Sequence, residues 1–291
     1  MKNFLLRLLE KWPWLYFRVY EVYYERKIQK ATELIVITTP GHVGSSTVFR
    51  SLQAVDWQDS VLICNIHSLK EGFNNASKVH SISARHVLQE ILRKSLQQGK
   101  LEDKSVKVIT LIRDPVARAL GGMFQNPGVF LTGIKPNTLT HSDFPKACNS
   151  LKEYMMNGYL LNTIDWQFTF YTMELRDFWG VDLSKRSNHA QEGFINLQEK
   201  NVDCFIFALE YLDEVFIDKI KRFLKKDVPL IDSNRNEQRP DWRQEFYNYC
   251  KDHLKFDLDI LRAVYNHPIM KSIYTSSKLK GFRDRWDQIS N

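Results

Sequence analysis

The chain has 291 residues, 43% of them hydrophobic and 13% aromatic, so it can bury a full core within one or two domains. A net charge of +7 suits polyanionic partners, whether a bis-phosphorylated nucleotide, an acidic glycan, nucleic acid or an anionic membrane face. Cys64, Cys148, Cys204 and Cys250 are far apart with no CxxC pair, which argues against a disulfide-stapled secreted domain and a zinc site, and no stretch approaches the apolar length of a membrane span.

Residues 3 to 30 carry Phe4, Leu5, Leu8, Leu9, Trp12, Leu15, Phe17, Val19 and Tyr23 with Lys and Arg between them, broken once at Pro13. Arg7, Glu10 and Lys11 interrupt the apolar residues, unlike a signal peptide; this amphipathic segment either packs on its own domain or lies on a membrane surface. Leu34 to Ile37 reads as a buried strand, Pro40 and Gly41 break it, and Thr47 to Ala54 has helical spacing with Val48, Leu52 and Val55 inward. Gly44 would let the backbone approach a ligand, while the amides after it and the hydroxyls of Ser45, Ser46 and Thr47 sit at the positive end of the helix. A phosphate fits there, although the same residues also read as a glycine turn capping a helix. The GxxxxGK triphosphatase loop is not present, since Ser46 stands where its second Gly belongs, and ATP hydrolysis is disfavoured.

Ser60 to Asn65 predicts the second strand, and His67 follows its carboxyl end, a candidate general base or a structural histidine. Lys70 to Ser83 reads as a polar loop, and Ala84 to Gln98 as an amphipathic helix on Val87, Leu88, Ile91, Leu92 and Leu96. Ser105 to Ile112 is a third strand ending in Arg113-Asp114-Pro115-Val116-Ala117-Arg118. Successive βαβ units imply a parallel sheet, whose ligands sit beyond the carboxyl ends of the strands, so Arg113 should face the loop around Gly44. Asp114 and Pro115 should open the next helix, and Arg118 either braces the loop or forms a salt bridge.

Gln125 to His141 reads as an irregular loop, a usual place for acceptor selection. Helices are expected over about 144–156 and 159–179; the aromatic residues Trp166, Phe168, Phe170 and Tyr171 of the second are core or a sugar-stacking face. Asp203 to Leu209 is a late strand, with Glu210 at its end to hold a neighbouring loop and a helix onward to Leu224. A basic connection from Asp227 to Arg243 could close over an anion or simply link. The tail from Trp242 to Trp286 reads as helical, interrupted at Pro268, with Phe246, Tyr249, Leu254, Leu258, Leu261 and Tyr265 inward. These elements predict an α/β protein, a P-loop-like three-layer fold with a central parallel sheet between helices. Residues 1–30 are an N-terminal helical addition, and 31–291 a single domain with a helical C-terminal part from about 226.

The loop Gly41-His42-Val43-Gly44-Ser45-Ser46 together with Arg113-Asp114-Pro115-Val116-Ala117-Arg118 resembles the sulfotransferases that use 3′-phosphoadenosine-5′-phosphosulfate. Those enzymes carry a Lys-x-Gly loop with two hydroxyl residues for the 5′ sulfo-phosphate, and an Arg-Asp-Pro-x-x-Arg strand end for the 3′-phosphate. The pairing is most similar to a bacterial, sulfotransferase-like branch linked to capsular polysaccharide synthesis. Phe124-Gln125-Asn126, Tyr171 to Leu175 with Gly180-Val181-Asp182, Leu209-Glu210-Tyr211-Leu212 and Phe282-Arg283-Asp284-Arg285-Trp286 extend the likeness over most of the chain. His42 stands where that family has Lys, and Gly121 where it usually has a Ser on the 3′-phosphate.

The resemblance implies a co-substrate held by His42, Val43, Gly44, Ser45, Ser46, Thr47, Arg113 and Gly121, with no metal. It implies His42 donating to the bridging oxygen and Glu174 as a second base or an acceptor contact; with His67, which its position on the rim offers for taking the acceptor proton, these are the catalytic candidates. With an ordinary imidazole pKa near 6.5, activity would fall as pH rises. The acceptor implied is a saccharide hydroxyl, and nucleic acid is not an expected partner; the cysteines and the missing span suggest a cytoplasmic location, with residues 3–30 either packed on the domain or at the inner membrane face. A nucleotide-binding homologue without turnover and a phosphotransferase are the alternatives.

Overall fold

The computed structural model describes residues 13–70, 83–125, 127–131, 139–183, 193–231 and 242–287. Residues 3–12, most of the polar loop after Lys70, residues 132–138 and most of the basic 227–243 connection lie outside the described residues.

Five strands form one sheet in the order β2-β1-β3-β5-β4: β1 Glu33–Thr38, β2 Val61–Ile66, β3 Ser105–Ile112, β4 Phe194–Glu199 and β5 Val202–Ala208. The first three and β5 are parallel, as expected, and β4 adds an antiparallel edge. Helices cover both faces of the parallel strands, so these strands are apolar on both sides: Leu34 to Ile37 and Val106, Val108, Ile109, Leu111 and Ile112 are all buried. In β4 only Ile195 and Leu197 are buried, between exposed Asn196 and Gln198. That brief alternation, without an apolar run, left the strand unanticipated.

One face, through Ile35, Ile37, Ile109, Leu111, Phe205 and Phe207, packs on Val48 and Leu52 of α2 (Ser45–Gln53) and on Phe216, Ile220 and Leu224. The latter three lie in a π-helical turn (Phe216–Ile220) and in α9 (Lys221–Leu224), which run on from α8 (Leu212–Val215). The opposite face packs on the other helices. These include α1 (Pro13–Lys30), lying against α3 (Ala84–Gln97), and α4 (Pro115–Met123). On that side α5 (Phe144–Tyr154) leads through a kink at Asn157 and Gly158 into α6 (Leu160–Thr169), a π-helical turn at Phe170–Glu174, and α7 (Leu175–Trp179). Phe168, Phe170 and Tyr171 are buried there as core.

The tail forms α10 (Trp242–His253), α11 (Leu258–Tyr265), α12 (Pro268–Ile273) and α13 (Ser276–Trp286). Pro268 opens α12 at the position where a missing N–H costs nothing. Phe246, Leu254, Leu261 and Tyr265 are buried as expected, whereas Tyr249 and Leu258 are half-buried and Tyr247 and Cys250 turn inward. All four cysteines are buried and free. Among the described residues no helix is long and apolar enough to cross a membrane.

Candidate functional site

Strands β1 and β3 are hydrogen-bonded neighbours in parallel register, Ile37 opposite Ile109, so the segments after their carboxyl ends share one rim. Beyond β1 the chain takes positive φ at Gly41 (80°), His42 (59°) and Gly44 (85°) before α2 begins. Consecutive turns of this kind aim backbone N–H groups inward into an anion-binding concavity. The Gly44 carbonyl accepts from Thr47 and Val48, while the amides of Ser45 and Ser46 make no hydrogen bond among the described residues. Gly44 is glycine for two reasons: its left-handed φ, and a Cβ that would lie 2.6 Å from Leu209 Cδ1. The space beside it is thus filled by Leu209, so close ligand approach is not what requires glycine there. Val43 is buried and anchors the loop in the core.

Arg118 is the brace. Its buried guanidinium donates to the carbonyls of Pro40 (2.6 Å), Gly41 (3.0 Å) and Thr163 (2.9 Å), tying the loop to α6. Arg113, at the end of β3, donates to the His42 carbonyl (3.2 Å) and the Tyr247 hydroxyl (3.1 Å). Gln167 donates to the Arg113 carbonyl (2.9 Å), and the Tyr171 hydroxyl donates to the Leu111 carbonyl. Burial pulls the Arg113 pKa down, but Tyr247, Glu210 and Asp114 outweigh it and raise it, so the cation is firmly charged.

Asp114 caps α4 by accepting from the Val116 amide (3.0 Å), and also accepts from the Tyr265 hydroxyl (2.6 Å) and Trp286 Nε1 (2.8 Å). Glu210 accepts from the Asp114 amide (2.8 Å) and the Tyr274 hydroxyl (2.6 Å), which is the loop-holding role expected of it. Burial raises both carboxyl pKa values, and the Asp114 charge adds to the shift of Glu210.

His42 projects beside Gly122 and Tyr159: a Cβ on Gly122 would lie 3.3 Å from His42 Cδ2 and 2.8 Å from the Tyr159 hydroxyl. Gly121 is buried in α4, so it is its neighbour that faces the His42 ring. Lost hydration on the protein side of the ring, then the Arg118 and Arg113 charges, push the His42 pKa down to about 4. At pH 7 the ring is neutral, which replaces the expectation of an imidazole titrating near 6.5.

His67 lies on the same rim after β2. Its Nε2 is 2.8 Å from Arg85 Nη1, and an arginine can only donate, so the lone pair a base would use is engaged there. Burial, then the Arg85 charge, lowers its pKa to about 4. Glu174 is buried and accepts from Ser68 Oγ (2.8 Å) and the amides of Leu69 (2.7 Å) and Lys70 (3.3 Å), holding the segment after β2 in place. The π-helical turn that ends at Glu174 aims it there.

Four buried polar atoms on this rim, Thr39 Oγ1, Asn65 Oδ1, His67 Nδ1 and Gln167 Oε1, have no hydrogen-bond partner among the described residues. Such atoms call for a ligand or ordered water. A cavity of about 800 Å³ bordered by Glu25, Lys94, Lys100 and Lys104 lies at the amino-terminal side of the sheet, away from this rim. No group of three or more His, Cys, Asp or Glu among the described residues is arranged to hold a metal ion. Arg85, Gly122, Tyr159, Gln167 and Tyr247 escaped the sequence reading because each acts through a partner distant in the chain. Comparison of the chain with protein-family models, with curated proteins and with solved structures gives no match.

Proposed function

We propose that this chain binds 3′-phosphoadenosine-5′-phosphosulfate at the loop around Gly44 and transfers its sulfuryl group to a saccharide hydroxyl, in capsular or cell-surface polysaccharide synthesis. The observation that carries the reading is the pairing, on adjacent strand ends, of open helix-start amides at Ser45 and Ser46 with a guanidinium 3.2 Å from the same loop. Two anion-binding elements side by side suit a ligand phosphorylated at both ends. Buried free thiols accord with a reducing, cytoplasmic setting.

When bound, the co-substrate supplies a sulfuryl group whose bond to the 5′-phosphate breaks as the acceptor oxygen bonds to sulfur and loses its proton. In this reading the Ser45 and Ser46 amides, with the hydroxyls of Ser45, Ser46 and Thr47, hold the 5′ end, and Arg113 holds the 3′-phosphate. Gly121 brings no hydroxyl, which leaves the 3′ end more dependent on Arg113. Neutral His42 donates one N–H toward the bridging oxygen, a weaker stabiliser of growing negative charge than lysine. For His67 to take the acceptor proton, its Nε2 must first part from Arg85.

That last requirement favours a second reading, nucleotide binding without turnover. One pair of measurements separates them. Calorimetry with 3′-phosphoadenosine-5′-phosphate should show binding, and Arg113→Lys should weaken it by about tenfold through loss of paired donors. A melting curve for the variant checks that it folds. Transfer of labelled sulfate to extracted polysaccharide then supports the enzyme, and binding without transfer supports the second reading. No binding by the native chain overturns both, and stronger stabilisation by ATP with magnesium would point to a phosphotransferase.

A further inference from the structure

Helix α1 packs inward through Tyr16 and Ile28 and leaves its other side in solvent. Trp14 is 68% exposed, Tyr23 50%, and Val19 and Val22 each 46%, the largest gathering of exposed apolar side chains on one described element. Arg18, Arg26 and Lys30 recur along the same side at four- and eight-residue spacing, and all three are exposed. The one exposed carboxylate of the described helix is Glu25, at the edge of this face between Trp14 and Arg18. Glu21 is turned inward, held by Arg18 at 2.7 Å and Lys94 at 3.5 Å, and Glu25 borders the cavity toward α3. Lys27 leans over the Tyr23 ring, 5.9 Å from its centre.

We propose that this face of α1 docks on an anionic phospholipid bilayer, laying Trp14, Val19, Val22 and Tyr23 into the headgroup boundary with Arg18, Arg26 and Lys30 on lipid phosphates. A helix with apolar side chains and cations on one exposed face is built for that boundary, where tryptophan and tyrosine rings also sit best. The charge pattern decides between occupants. A two-fold dimer would set Arg18, Arg26 and Lys30 against their own copies with only Glu25 of each chain to answer three cations. A polynucleotide would answer the cations but leave Val19 and Val22 without apolar partners. The surface is separate from the rim that carries Arg113, so it stands whether or not the nucleotide reading does.

The test is flotation of the full chain with vesicles of phosphatidylcholine alone or mixed with phosphatidylglycerol. The chain should float with the anionic vesicles and be released in part by salt, which screens the cations and leaves the apolar contacts. Arg26→Glu/Lys30→Glu should lower partitioning at least about 25-fold, since each cation near such a surface contributes roughly fivefold. Trp14→Ala/Val22→Ala should weaken binding that remains at high salt. Both variants alter exposed side chains and should melt like the native chain, which separates lost docking from lost folding. Equal flotation with neutral vesicles, no flotation at all, or indifference to the charge reversal overturns the proposal. So does a dimer in sedimentation that disappears in Trp14→Ala/Val22→Ala, which would assign the face to a second copy.

Discussion

Arg113 and Asp114 are consecutive residues at the end of one strand, yet they belong to regions with opposite bonding. Around Asp114 and Glu210 the donors and acceptors are matched: two buried carboxylates take bonds from Tyr265, Tyr274, Trp286 and two amides, stitching the ends of β3 and β5 to the C-terminal helices. A few ångströms along the rim, around the loop at 39–46, the helix-start amides and the Thr39 and Asn65 side-chain oxygens lack partners among the described residues. Matched buried polar groups stabilise and specify a fold; unmatched ones call for an ordered water, a ligand or local strain. The contrast sets Asp114, on the matched side, against Arg113, which borders the loop where the proposed ligand would sit.

The largest effect should come from breaking the matched side. Asp114→Ala strands the Tyr265 hydroxyl and Trp286 N–H in the core and should cost about 3–5 kcal/mol in urea unfolding. Arg118→Met comes next. Without its guanidinium the Pro40 and Gly41 carbonyls lose their donor, so we expect a loss of about 3 kcal/mol together with weaker nucleotide binding by calorimetry. Gly44→Ala is smaller, about 1–3 kcal/mol in the same unfolding assay, from its left-handed φ and the Leu209 contact.

The two regions should also respond to acid with opposite signs. Asp114 and Glu210 have folded pKa values above those of the unfolded chain, so their contribution is fully present below the ordinary carboxylate range and is lost as pH rises through the raised values. His67 has a folded value near 4 against an ordinary 6.5, so its contribution is present above about pH 6.5 and is lost as pH falls toward 4. Relative to native protein, Asp114→Asn/Glu210→Gln should therefore lose ground as pH is lowered from 7, whereas His67→Gln should gain. Urea midpoints across pH 4 to 7 measure both. The smallest change expected is in His42→Lys, which restores a permanent cation to the loop and should tighten 3′-phosphoadenosine-5′-phosphate binding severalfold. A weaker complex would remove the donor role given to His42.

Much of this was legible in the chain because it is local. Leu34 to Ile37 and Val106 to Ile112 announce strands covered on both faces, Asp114-Pro115 announces a helix start, and the Gly44-Ser45-Ser46 step announces a helix whose first amides are open. Glu210 was placed by its position at a strand end. The edge strand β4 was not legible, since half of its side chains face solvent and leave no apolar run. The lowered His42 and His67 values were not legible either, because they arise from burial and from arginines at 85, 113 and 118 that only folding brings near.

By itself, then, the order of residues determined which segments become strands and helices and that a loop and an arginine close two of the strands, because apolar spacing, proline and glycine act over a few residues. Tertiary structure alone decided that Arg118 braces that loop, that Arg85 occupies the His67 lone pair, and that Tyr265, Tyr274 and Trp286 secure two buried carboxylates. These are contacts between groups up to 172 positions apart, and no local pattern encodes which buried donor will meet which acceptor.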